Sequence, residues 1–179
     1  MKKGHLGIYY KIDVNEYEDY LKSFINEEDI YDNDSNDFGL AENPHITVLF
    51  GFNEEVKIDQ IKPDMYDKVI SIEDIELKGI SIFESSKYDV LKIDIESNKL
   101  NNYNEFFKSN FPYESDFDEY HPHLTISYIK KGMGKYYTSG HTGKDLIEGI
   151  KSKLKGSKLF YKFSDSNKKE STFSIICGD

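Results

Sequence analysis

The chain has 179 residues, 37% hydrophobic and 15% aromatic, which is enough to bury a sizeable core and too apolar for a disordered segment. Its 23 basic side chains are all lysine, set against 33 Asp and Glu for a net charge of −10. That balance works against a long RNA or DNA partner, whose binding draws on phosphate neutralisation, and favours one compact domain over 1–179 that takes a small ligand.

The lack of arginine removes the bidentate phosphate clamp and leaves Lys, His, hydroxyl and backbone N–H groups for any phosphate. A single cysteine, Cys177, can form neither an intramolecular disulfide nor a thiolate cluster, which suits a reducing compartment. The first residues are broken by His5, Lys11 and Asp13, a pattern of neither a secretion signal nor a membrane span, so a cytoplasmic location is expected.

Residues 6–12 are rich in β-branched and aromatic types and predict a strand. Asp13, with Glu16 three residues later, makes a capping box, and Val14, Tyr17, Tyr20, Leu21, Phe24 and Ile25 fall at helical spacing, so a helix over 14–27 is expected. The acidic stretch 27–43 reads as a solvated loop. Strands are then predicted at 45–50, 69–83 and 88–96, with a short helix near 54–62 that stops around Pro63. Leu100, Tyr103, Phe106 and Phe107 predict a second helix ended by Phe111-Pro112. A strand at 123–129, a Gly- and Tyr-containing loop, a third helix over 144–154 and a hairpin of 157–164 with 171–176 complete the chain. Helices mixed with hairpins argue for α+β, with helices outside a largely antiparallel sheet or pair of sheets.

Residues 43–50 read NPHITVLF and residues 121–128 read HPHLTISY. In each, proline precedes a histidine, and a strand puts His and Thr on one face and the apolar Ile46, Val48, Leu124 and Ile126 on the other. One His-x-Thr in a strand usually means only a half-exposed polar face. Two parallel copies in a chain of five histidines point further, to two imidazoles delivered to one cavity. Phosphodiester cleavage needs a base for the attacking hydroxyl and an acid for the departing one, and imidazole serves either role near neutral pH. His45 and His123 are therefore the candidate catalytic pair, and the Thr47 and Thr125 hydroxyls are candidate donors to the non-bridging oxygens.

The paired motifs His45/Thr47 and His123/Thr125 resemble the signature of the two-histidine (2H) phosphoesterase superfamily. That resemblance implies a bilobal α+β fold, two pseudo-symmetric lobes of antiparallel sheet with outer helices around a central cleft, and a phosphodiesterase without catalytic metal or other cofactor. The segments ENPHITVLFGF, SKYDVLKIDIES and YHPHLTISYIKKG, within roughly residues 5–135, look most like the phage anti-CBASS nucleases. This likeness implies a cyclic di- or trinucleotide as substrate, hydrolysed at its 3′-5′ bonds, in the cytoplasm of a bacterial host. An RNA 2′,3′-cyclic or 2′-5′ phosphodiesterase/ligase-like enzyme, and a sponge that holds the nucleotide uncut, are the rival expectations.

With no tryptophan, base stacking falls to Tyr or Phe, and Tyr10, Phe83, Tyr136 and Tyr137 are the candidates. Lys130, with Lys92 and Lys131, could draw a phosphate. His121-x-His123 near Asp116, Asp118 and Glu119 has no convincing third ligand, so no metal is expected. GHTGK at 140–144 lacks the spacing of a Walker loop, and His5 and His141 read as peripheral.

Overall fold

A computed structural model of the chain describes residues 4–11, 14–32, 38–41, 44–53, 72–115, 117–138, 141–163 and 171–172, with side chains described except at 5–15, 141–142 and from 155 onward. In chain order the elements are β1 (Gly4–Lys11), α1 (Val14–Phe24), β2 (His45–Phe52), β3 (Glu76–Glu84), β4 (Tyr88–Glu96), α2 (Asn98–Asn110), β5 (His123–Lys130), α3 (Gly134–Tyr137), α4 (His141–Lys153), β6 (Lys155–Phe163) and β7 (Ser171–Thr172). Short 3₁₀ turns lie at Glu27–Asp29 and Ile72–Asp74. The strands form one seven-stranded sheet in the order β3-β4-β5-β2-β1-β6-β7, every pairing antiparallel. This is the mixed helix and antiparallel-sheet class that the sequence pattern predicts.

Local chemistry explains most boundaries. Ser97 caps α2, its hydroxyl accepting from Leu100 N–H at 3.3 Å, and the helix stops at Phe111 just before Pro112. α1 ends sooner than expected because Asn26 takes over, its side-chain oxygen accepting from Glu28 N–H at 3.2 Å and starting a 3₁₀ turn. Of the strand predicted over 69–83, residues 69–71 lie outside the described residues and β3 starts at Glu76, after the 3₁₀ turn Ile72–Asp74. It is pinned to α2 by Ser97, which donates to Asp74 C=O, and by Lys99 against the Asp74 carboxylate at 2.6 Å. The Gly- and Tyr-containing loop holds the short helix α3. The helix expected at 54–62 and the hairpin end at 173–176 lie outside the described residues.

One face of the sheet is apolar and carries the core. Ile46, Val48, Leu91, Ile93, Leu124 and Ile126 are fully buried there with Tyr17 and Leu21 of α1, Leu100 and Phe107 of α2, and Leu146 and Ile150 of α4. α1 packs on α4, α2 on β2 and α4 on β3. Where α1 and α4 cross, Tyr20 donates to Asp145 C=O at 2.8 Å, and a Cβ on Gly149 would stand 1.7 Å from the Tyr20 hydroxyl. A side chain at 149 would have to displace the Tyr20 ring.

β2 and β5 meet at one registered pair, Ile46 opposite Leu124, and then diverge. Each gap is filled by the segment that leads into the other strand. Leu40 bridges Ser127 and Ile30 bridges Ile129 on β5, while Tyr113 bridges Phe52 on β2, with Glu114 N–H donating to Gly51 C=O at 2.8 Å.

Candidate active site

The antiparallel Ile46–Leu124 pair is the pivot of the site. Around it His45 lies toward Thr125 and Thr47 toward His123, so the two motifs are related by a local two-fold and the histidines stand diagonally across the ladder. All four residues are half-buried on the face opposite the helices, whereas Ile46 and Leu124 have no exposure. A diagonal neighbour on one face is within reach of an imidazole pair that shares one phosphate.

The likeness continues past the threonines. Val48 is an extra residue in β2, since Thr47 pairs with Gly7 and Leu49 with Leu6. Ile126 is the same extra residue in β5, since Thr125 pairs with Lys92 and Ser127 with Leu91. Each bulge buries two successive residues and then turns an aromatic, Phe50 or Tyr128, back to the histidine face. The carbonyls left over are satisfied from outside the ladder: Asn104 Nδ2 donates to Val48 C=O at 2.7 Å and Ala41 N–H to Ile126 C=O at 2.8 Å. Tyr120 ties the approach to β5 onto β2, donating to Thr47 C=O at 2.9 Å.

His123 is the better defined of the two imidazoles. Its Nδ1–H donates to His121 C=O at 2.9 Å, which leaves Nε2 for chemistry. Phe83 meets the ring edge-on, centroids 5.1 Å apart. Burial lowers the His123 pKa; the bond to His121 opposes this, the Lys92 and His45 charges lower it further, and Asp94 raises it, the net direction being down. His45 is among the charges that act on His123.

A cavity of about 450 Å³ opens beside His123 and Thr47, lined among others by Phe50, Phe83, Tyr120 and Tyr128, whereas His45 and Thr125 are not among its lining residues. Phe117, 68% exposed, and Lys108 stand on its wall. Of the stacking candidates from sequence, Phe83 is on this wall. Tyr137 is not: it is the buried last residue of α3, donates to Asp29 Oδ2 at 2.6 Å and accepts from Asn26 N–H. Its neighbour Tyr136 lines a separate depression with Lys22, Asn26 and Met133, and α3 packs on the helix side of the sheet, its Gly134 against Ile82. Lys130 is engaged at the far end of β5, donating to Glu28 C=O at 2.5 Å. Lys131 is paired with Asp89 and Glu84. The backbone of Tyr10 pairs with Ser157, and its side chain, like those of His5 and His141, lies outside the described residues. Phe50, Tyr128 and Lys108 were missed from sequence, although an aromatic five residues after each motif histidine was a repeat in plain view for the first two.

Asp116 lies outside the described residues, and among those described no group of three or more His, Cys, Asp or Glu is placed to hold a metal ion. Among them no helix is long and apolar enough to cross a membrane.

A model of the 2′-5′ RNA ligase superfamily matches residues 31–132, more than half of the chain and including both motifs. The chain belongs to the 2′-5′ RNA ligase superfamily. These are 2H phosphoesterases, and membership supports a phosphoesterase- or ligase-like activity on phosphodiesters. No curated protein matches the chain significantly. Within the superfamily match fall β2, β3, β4 and all of β5, which are the strands that carry His45, Thr47, Phe83, Lys92, His123 and Thr125.

Proposed function

We propose that the protein is a metal-independent phosphodiesterase that hydrolyses 3′-5′ bonds of cyclic di- or trinucleotides, with His45 and His123 as the acid/base pair and Thr47 and Thr125 as donors to the phosphate. The observation that carries this reading is the two-fold arrangement of His-x-Thr triads about the Ile46–Leu124 pair on the polar face of the sheet. One phosphorus between two diagonal imidazoles has a base on one side and an acid on the other. The reciprocal filling of the two gaps, by Ile30, Tyr31 and residues 39–41 on one side and 112–114 on the other, supports two pseudo-symmetric lobes around a cleft.

A nucleotide with a base on each side of the scissile phosphate suits a cavity that has aromatics on both strands, Phe50 on β2 and Tyr128 on β5, with Phe83 beside His123. The net charge of −10 favours a small nucleotide over a long nucleic acid. An anti-CBASS role in the cytoplasm of a phage-infected bacterium follows from the sequence likeness described above.

The test is to incubate the protein with cyclic di- and trinucleotides, and with RNA ending in a 2′,3′-cyclic phosphate, in EDTA, and to read products by mass spectrometry. Linearised cyclic nucleotide is the expected product, lost in H45A and H123A by roughly 10²–10⁴-fold or more while nucleotide binding remains. Turnover that survives either substitution, or that disappears in EDTA, would sink the reading. Consumption of the RNA end alone would move the substrate to RNA processing.

A further inference from the structure

The acid/base reading leaves unused a group of polar side chains one strand away. Lys92, in the middle of β4, is only 6% exposed. Its ammonium donates to Ser81 Oγ at 2.7 Å, is ion-paired with Asp94 Oδ1, and lies 4.4 Å from the centroid of Phe83. Ser81 donates in turn to Asp94 Oδ1 at 2.9 Å. A cation is costly to bury, and a lysine needed only for solubility would stand in water. Here it is placed behind the dyad, with Lys92 opposite Thr125 and Asp94 opposite His123 in the ladder.

We propose that Lys92, Asp94 and Ser81 form a charged brace that holds His123 as the general base of the dyad and leaves His45 as the acid. The assignment rests on the two-histidine reading above and deepens it. Three contacts define the state of His123. The His121 carbonyl accepts a hydrogen bond from Nδ1–H and so leaves the lone pair on Nε2 for the reaction. The Phe83 edge fixes the ring plane and is itself held under the Lys92 ammonium. The fixed Lys92 charge disfavours a second cation beside it, while Asp94, its carboxylate shared with Lys92 and Ser81, is too engaged to draw His123 fully into an ion pair.

Among the described residues, the charged and titratable groups around His123 are Lys92 and Asp94 from β4, His45 from β2, Tyr128 from β5, Glu119, Tyr120 and His121 from the approach to β5, and Lys108 from α2 on the cavity wall. From β3 come the neutral Ser81 and Phe83. In the step itself the attacking hydroxyl, of water or of a ribose, gives its proton to His123 Nε2 as its oxygen bonds phosphorus. The P–O bond to the leaving oxygen breaks, and that oxygen takes a proton from the His45 imidazolium. Water yields a phosphomonoester and an alcohol; a ribose 2′-OH yields a cyclic phosphate and an alcohol.

The experiment pairs pH profiles of kcat/KM with an NMR titration of histidine-labelled protein, His123 being assigned by H123Q. In K92M the His123 signal should titrate at higher pH than in the unsubstituted protein. The acid limb of kcat/KM should follow it, with roughly tenfold loss of rate on that limb. D94N should move both in the opposite direction, a sign reversal that a merely structural role does not produce. Should K92M fail to fold, the near-isosteric D94N decides alone. A His123 signal that titrates alike in all proteins overturns the brace, and movement of the alkaline limb instead overturns the choice of His123 as base. Expected NMR shifts without turnover on any phosphodiester overturn the two-histidine reading, and the base assignment with it.

Discussion

At the scale of single residues, the site is built from side chains whose partners fix what they can do. Phe50 shows this from the binding side, since the Val48 bulge turns it onto the histidine face at 43% exposure. As a platform for one nucleobase it should contribute about 1–3 kcal/mol of stacking. F50A is expected to raise KM by roughly five- to a hundredfold with kcat changed little, measured on a cyclic dinucleotide. An unchanged KM would remove it from the site.

Asp89 shows the same logic for stability. It is buried on the helix side, with Lys131 Nζ at 3.0 Å and the N–H groups of Gly132 and Gly134 at 2.8 and 3.4 Å. Burial pushes its pKa up, but these donors outweigh it, so the carboxyl titrates below the usual carboxylate range. A lowered folded-state pKa means stability that is present above the ordinary carboxylate value and lost as pH falls through the folded one. D89N should therefore be less stable by about 2–3 kcal/mol at neutral pH, with the gap to the unsubstituted protein closing in acid. Denaturant melts at several pH values check the sign, and a gap that widens in acid would contradict it.

At the scale of elements, the two motif strands depend on help from outside their own ladder. Asn104, buried on α2, supplies the donor that the Val48 bulge lacks, so N104L should leave that carbonyl unsatisfied and cost about 1–3 kcal/mol. Because Val48 follows Thr47, activity should fall further than stability alone explains; activity measured well below the melting temperature separates the two. Gly51 has φ of +87°, and a Cβ there would stand 2.0 Å from the Glu114 carbonyl oxygen. G51A is expected to break the bridge between β2 and residues 113–114 and to lower the melting temperature by several degrees.

The element boundaries also show how local signals compete. Pro112 marks the end of α2 in the sequence because a stop acts within one turn, and the Ser97 cap at its start is seen in the structure. The first residues of the predicted strand at 69–83 have an equally apolar look, yet Ile72–Asp74 turns as 3₁₀ because Ser97 and Lys99 hold Asp74 from another element. No window over residues 69–83 contains those partners.

At the scale of the whole molecule, charge and sheet topology act together. The net charge of −10 raises a general barrier to polyanions, while the lysines near the site, Lys92 and Lys108, act only over short range. A long single-stranded RNA is expected to bind more weakly than a cyclic dinucleotide at the same salt. Fluorescence anisotropy with both ligands tests this, and tight RNA binding with a steep salt slope would contradict the small-nucleotide reading.

The paired motifs and the superfamily they mark are legible in the chain before it folds. His-x-Thr appears twice with the same apolar alternation, and strand periodicity alone puts each His and Thr on one face. Only the tertiary structure decided which side chains stand beside them. Lys92 and Phe83 reach His123 from β4 and β3, whereas Tyr136, Tyr137 and Lys130, as plausible in the sequence, go to other parts of the molecule. The reason is that a residue's face follows from its own strand, but its neighbours follow from strand order, register and bulges, which long-range pairing alone fixes.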